Sequence, residues 1–187
     1  MTTGQVLFDF QHSPFGDIAV VWFPAQTGPQ VLRIILCGPS PAEDSVRLRY
    51  LGAQRRTAPE IDDLGGRIRR FLCGEDIVFD LGMMAMETCG RFQRRVLEAE
   101  HAVPRGWVST YGRLAKQAGA EGGARAAGCA LAENPFPIVI PCHRTVRSNG
   151  DLGGYQGGAE MKRALLEMEG VAFDERGRVV LHRVYYV

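Results

Sequence analysis

Apolar residues crowd three short stretches at the start of the chain. Gln5–Gln11, Asp17–Phe23 and Gln30–Cys37 are rich in Val, Ile, Leu and Phe. Turn formers separate them at Ser13-Pro14-Phe15-Gly16 and between Pro24 and Pro29. The pattern predicts a small antiparallel sheet. The period then lengthens: Ile61, Leu64, Ile68, Phe71 and Leu72 fall at helical spacing with Arg on the other face, which predicts a helix over Ile61–Leu72 stopped by Gly74. Glu75–Gly90 reads as a mixed connector in which Met83, Met84 and Met86 suit the filling of a core or domain seam.

From Arg91 onward the pattern is helical. Phe92, Val96, Leu97 and Ala99 mark one helix that ends near Val103–Gly106. A second starts behind the caps Ser109 and Thr110, carries Leu114, Ala115 and Ala118, and stops at Gly119. A third covers Gly123–Ala132. Short helices joined by a Gly-containing turn have the shape of a helix-turn-helix, and an ordinary helical hairpin shares that pattern. The third helix is built almost wholly of small residues, with Arg125 its sole charge. So low a profile can approach a neighbouring helix or a shallow nucleic-acid groove, and the lone Arg, long enough to enter a base stack, favours the groove.

A chain of 187 residues, 45% hydrophobic and 23% charged, supplies one or two packed cores. It holds no run of about 18 uncharged apolar residues, and Met1–Phe10 lacks the basic-then-apolar layout of a secretory signal, so a soluble intracellular protein is expected. The five cysteines, at 37, 73, 89, 129 and 142, include no C-x-x-C pair, which points to reduced thiols. Residues 1–90 carry 8 Arg against 11 acidic side chains, net −3, whereas residues 91–187 carry 14 Lys and Arg against 10, net +4. A polyanion would prefer the second half, although a charge of that size is also ordinary surface charge.

Chemistry concentrates downstream. Asn134-Pro135-Phe136-Pro137 leads into Ile138-Val139-Ile140-Pro141, a strand-like apolar run that delivers Cys142-His143-Arg144 behind a rigid proline. A free thiol is only a few per cent thiolate at neutral pH, so a reactive Cys142 needs a base, cation or dipole nearby. His143 is adjacent in sequence, but neighbours in an extended segment point apart, and a water is one way to bridge them. Ser148–Gly158 then packs five glycines around Tyr155 within eleven residues, letting backbone line a pocket with one aromatic wall. A helix opens at Ala159 and runs to Glu169, with Gly170 as its C-terminal stop. A carboxylate in that last turn opposes the helix dipole, so Glu169 calls for a partner, and a histidine held in one tautomer fits.

The segments Asn134-Pro-Phe-Pro-Ile-Val-Ile-Pro-Cys-His-Arg144, Gly153-Gly-Tyr-Gln-Gly-Gly158 and Leu-Leu-Glu-Met-Glu-Gly170 closely resemble the O6-alkylguanine-DNA alkyltransferases, also called methylated-DNA–protein-cysteine methyltransferases. The resemblance is strong over about residues 91–171. It implies an α+β fold: an N-terminal antiparallel-sheet domain of RNase H-like type over residues 1–82, and a C-terminal helical domain over 83–187 with a helix-turn-helix and an active-site Cys loop. The implied activity is DNA repair by a single irreversible transfer of the alkyl group from a flipped O6-alkylguanine to the protein's own cysteine, with O4-alkylthymine left open as a second substrate.

The resemblance makes Cys142 the acceptor, His143 its water-relayed base, Glu169 the carboxylate orienting His143, and Asn134 a hinge and hydrogen-bonding residue. It makes Tyr111 the contact to the 3′ phosphate and proton donor to guanine N3, and Arg125 the finger filling the gap left by the base. Ala124, Ala126, Ala127, Gly128 and Ser148 join the DNA surface. Tyr155, Gln156, Gly153, Leu131 and Pro137 line the pocket. The implied partner is double-stranded DNA containing alkylated guanine, met by a cytoplasmic monomer with no membrane contact, no cofactor and no metal; if bacterial or archaeal, it would sit at the nucleoid.

Four departures from the family pattern stand out. Gln156 replaces a small residue and predicts a narrower or more polar rim. Thr145 replaces the commoner Val, and Ala132 is neutral where some relatives are basic. The zinc-binding cluster of some relatives is missing, since only Cys37, Cys73 and His12 could serve there. Cys142 argues against a non-catalytic damage-recognition protein, in which another residue replaces the nucleophile. A helix bearing only Arg125 argues against a sequence-reading transcription factor, and a Cys-His hydrolase would need an oxyanion hole.

Overall fold

A computed structural model describes residues 5–38 and 40–186. The chain forms two compact units, one built from the residues up to Thr88 together with Pro135–Val139, the other from Cys89–Asn134 together with the residues from Ile140 onward. Among the described residues, no helix is long and apolar enough to cross a membrane.

In the first unit, β1 (Leu7–Ser13), β2 (Gly16–Ala25) and β3 (Gly28–Gly38) form an antiparallel meander. Strand β2 lies between the other two, and its run Ile18–Phe23 is buried throughout, which is why it reads as continuously apolar rather than alternating. Phe8, Ala19 and Val21 share one face, where they pack with Ala42 and Val46 of α1 (Ala42–Arg47). Helix α2 (Pro59–Leu72) approaches β1 so closely that a Cβ on Gly65 would meet the Gln11 side chain at 2.8 Å. It starts two residues earlier than its hydrophobic spacing suggests because Pro59 fits the first helical turn.

Two elements of this unit leave no hydrophobic signature. Helix α1 has only six residues, and β4 (Gln54–Arg55), both of whose residues are exposed, adds to β1 in parallel. The sheet order is therefore β3-β2-β1-β4, an antiparallel meander with one parallel edge rather than a purely antiparallel sheet. The methionine-rich connector joins the sheet through Val31, whose N–H donates to the Met83 carbonyl and whose carbonyl accepts from Ala85.

The second unit opens with α3 (Arg91–His101), followed by the two-residue strand β5 (Ser109–Thr110), α4 (Tyr111–Gln117) and α5 (Ala124–Ala132). Helices α4 and α5 form the helix-turn-helix. Thr110 caps α4, its hydroxyl accepting from the Arg113 N–H at 3.4 Å, while Ser109 turns its hydroxyl to the Tyr185 carbonyl instead. After a 3-10 turn at Cys142–Arg144, β6 (Thr145–Val146) pairs in parallel with β5, and α6 (Gly158–Met168) closes the unit. Gly170 takes φ +81°, the left-handed stop expected of it.

The run Ile138–Pro141 is not a strand. Ile138 sits at φ +74° in a turn, and these residues are apolar because they are buried, not because they pair in a ladder.

Candidate active site

The peptide Cys142–Arg144 is held by its own backbone. The Ile140 carbonyl accepts both the Cys142 N–H at 2.8 Å and the Asn134 Nδ2 amide at 3.1 Å, and the Pro141 carbonyl accepts the Arg144 N–H. A single 3-10 turn points successive side chains in different directions, so Cys142 and His143 diverge although adjacent. Cys142 opens on a cavity of about 280 Å3 while His143 is fully buried behind it.

Glu169 has the partner its position demands, and a second besides. Its Oε1 lies 2.9 Å from His143 Nε2, and Arg144 grips the same carboxylate with two donors, Nε to Oε2 at 2.9 Å and an η nitrogen to Oε1 at 2.8 Å. The remaining Arg144 η nitrogen donates to the Val103 carbonyl at 2.6 Å. Burial would raise the Glu169 carboxyl, but the hydrogen bond from His143, then the hydrogen bonds and charge of Arg144, outweigh it and hold the group down at about 2. His143 moves the other way: burial lowers it against the pull of Glu169. Arg144 supplies the formal countercharge, so His143 stays a neutral imidazole. Bonded to an ionised carboxylate, Nε2 carries the ring proton, which leaves the basic lone pair on Nδ1.

The cavity is lined by Tyr111, Gly128, Leu131, Ala132, Cys142, Gly154, Tyr155 and Gln156. Its volume lies near the lower end of small-molecule sites, the scale of one flat ring system with a short substituent. Tyr111 explains two glycines. A Cβ on Gly153, which sits at φ +71°, would meet the Tyr111 hydroxyl at 2.6 Å, and one on Gly128 would touch the ring at 3.6 Å. The ring is thus wedged between α5 and the glycine-rich loop. Gln156 ties that loop to the end of α5, its Nε2 donating to the Asn134 carbonyl at 2.6 Å and to the Ala132 carbonyl at 3.3 Å. The Tyr155 ring stands edge-on to His143 with centroids 6.2 Å apart.

Burial, above all, pushes the Cys142 thiol up to about 12, against a hydrogen bond from the Asn134 side chain, while the charge of Glu100 adds to the rise. The resting group is therefore a thiol, and a standing thiolate, the state a free attack would use, is not populated. Tyr111 is also raised, first by burial, and keeps its phenolic proton.

Cys142, His143, Glu169, Asn134 and Tyr111 thus come together, as do Tyr155, Gln156 and Leu131 around the cavity. Two expected pocket residues do not line it: Gly153 packs on Tyr111 instead, and Pro137 lies in the Pro135–Val139 segment of the other unit. Their places are taken by Gly154, Ala132 and Gly128, the last expected on the DNA surface. Arg125, Ala126 and Ser148 are exposed and Ala124 and Gly128 half-buried, but Ala127 faces the core and offers no surface. Residues 128 and 132 lie one helical turn apart on α5, a spacing that could have marked them as one wall.

Residues 91–171 match the family described as 6-O-methylguanine DNA methyltransferase, DNA binding domain. A methylated-DNA–protein-cysteine methyltransferase of Methanothermobacter thermautotrophicus is 50% identical over 107 residues, 57% of this chain and 60% of that protein. One of Salmonella typhimurium is 40% identical over 127 residues, 67% of this chain and 73% of that protein. The crystal structure of Mycobacterium tuberculosis OGT in complex with DNA superposes with a TM-score of 0.70 at 30% identity, covering 88% of this chain and 92% of that one.

The carboxylate makes an acid limb in stability. Glu169 lies near 4.5 when unfolded and about 2 when folded, so its contribution is complete above pH 4.5 and fades as pH falls towards 2. Glu169→Gln leaves Arg144 without its countercharge and should cost about 3–5 kcal/mol at pH 7. The gap to wild type should narrow by pH 3, as urea unfolding at pH 7, 5 and 3 will show.

Proposed function

The chain belongs to the methylated-DNA–protein-cysteine methyltransferase family, and on that footing we propose that Cys142 removes the alkyl group from O6-alkylguanine in double-stranded DNA and keeps it. The observation that carries this reading is a thiol at the wall of a base-sized cavity with a neutral, carboxylate-anchored imidazole behind it. The acting region is residues 83–187, and the protein works in the cytoplasm, at the nucleoid if the cell is bacterial or archaeal.

Arg125 fills the base stack when the damaged nucleotide turns out of the helix. Extrusion costs a few kcal/mol, less where alkylation has weakened pairing, so damage is selected in part by ease of flipping. The base enters between Tyr155 and the small residues of α5. The raised thiol makes deprotonation part of the chemical step: Cys142 passes its proton through a water to Nδ1 of His143 as the sulfur attacks. The S–C bond forms as the C–O6 bond breaks, and the bond electrons leave with the purine. Tyr111 gives its proton to N3, so neutral guanine departs. Imidazolium and phenolate then return to neutrality through solvent. The thioether is stable, and each molecule acts once.

Three measurements test this. Intact mass after incubation with O6-methylguanine duplex should rise by one CH2, located on the Cys142 peptide, and Cys142→Ala should bind the duplex with no gain; hydrolysis product released without an adduct would overturn the reading. Arg125→Ala should slow repair in duplex by at least about tenfold while leaving transfer from free O6-benzylguanine nearly unchanged, because only the duplex requires flipping. Gln156→Gly should release the loop from α5 and raise the rate with bulky O6 adducts relative to methyl, read in single-turnover assays.

A further inference from the structure

Among the described residues, Glu100 is the one buried carboxylate near the centre that the reaction above leaves unused. It sits in the last turn of α3, fully buried. Its Oε2 accepts a hydrogen bond from the Thr145 hydroxyl, while Oε1 is buried with no hydrogen-bond partner among the described residues. A buried polar atom of this kind needs a reason.

Its connections lead straight to the nucleophile. Thr145 caps the Cys142–Arg144 turn, and it is held at both ends: its hydroxyl by Glu100, its carbonyl by the buried ammonium of Lys162 at 2.6 Å. The same ammonium binds the carbonyls of Leu152 at 2.6 Å and Gly154 at 3.3 Å. The glycine-rich loop and the end of the Cys142 turn therefore hang on one Glu100–Thr145–Lys162 chain. The Thr145 hydroxyl is committed to Glu100.

We propose that Glu100 is a positioning residue for the transfer, fixing through Thr145 the far end of the Cys142 turn and setting by its own protonation how readily the Cys142 thiol gives up its proton. This rests on Cys142 being the alkyl acceptor. Burial pushes the Glu100 carboxyl up to about 7, against the Thr145 bond and the charges of Lys162 and Arg144, with Glu169 adding to the rise. Below that pH the group is neutral. Above it, a buried negative charge opposes proton loss from Cys142 and from Tyr111, and acts on Tyr186 in the same sense. Lys162, itself lowered to about 8 by burial, pulls the other way on Cys142.

The test is the rate at which iodoacetamide alkylates Cys142 in the full chain from pH 6 to pH 8, read on the Cys142 peptide by mass spectrometry. Glu100→Gln and wild type should react equally at pH 6, where both hold a neutral group. At pH 8 the variant should be about threefold faster, since a charge has left a poorly solvated site. Thr145→Val removes the donor that favours the carboxylate, so Glu100 stays neutral to higher pH and reactivity at pH 8 should rise towards that of Glu100→Gln. This second variant carries the test if the first does not fold. A ratio to wild type that is constant from pH 6 to pH 8, in whichever variant folds, overturns the proposal, because loss of a merely structural contact changes reactivity without regard to pH. The probe needs no DNA, so the expected iodoacetamide profile without methyl transfer would sink the alkyl-transfer reading and leave standing only the coupling of Glu100 to the Cys142 thiol, whereas methyl transfer with a flat profile would sink the Glu100 proposal alone.

Discussion

The second unit is organised around a single carboxylate. Glu169 receives His143 and Arg144 together, and so ties the Cys142–Arg144 turn to the end of α6. Without the arginine, a buried histidine–glutamate pair would have to choose between two costly charge states, an isolated anion or an ion pair in low dielectric. With it, the carboxylate is compensated and the imidazole stays neutral. Everything the site can do with a proton follows from that division, including which ring nitrogen remains basic.

Small residues do the shaping. The cavity exists because Gly128, Ala132 and Gly154 leave room, and its walls stay in register because long side chains reach across them: Gln156 to the carbonyls at the end of α5, Lys162 to the glycine-rich loop and to Thr145. Backbone carbonyls serve as the attachment points in every case. A loop with so many glycines has little intrinsic order, and these donors supply what its own sequence does not.

What the sequence made legible was mostly local. Apolar runs between turn formers located the long strands and period-3.6 patterns the helices, Gly119 and Gly170 marked helix ends, and a glutamate against the helix dipole at 169 signalled a missing partner. The unread parts depend on contacts remote in sequence. Helix α1 is too short, and strand β4 too short and too exposed, to carry a pattern, and Ile138–Ile140 looked like a strand because burial and pairing draw on the same residue types. The second donor on Glu169, Arg144, was in plain view in the tetrapeptide but its direction was not. Glu100 gave no signal at all, since a glutamate on an amphipathic helix is ordinarily assigned to solvent.

The wedging of Tyr111 between Gly128 and Gly153 bears on how tightly a guest in the cavity can be held. An aromatic side chain that is free in the empty protein must surrender its rotamers when a ligand arrives, and that loss is subtracted from affinity. Here the ring is immobilised during folding, so the entropic toll falls on the polypeptide's own stability and the guest meets a surface already in its final pose.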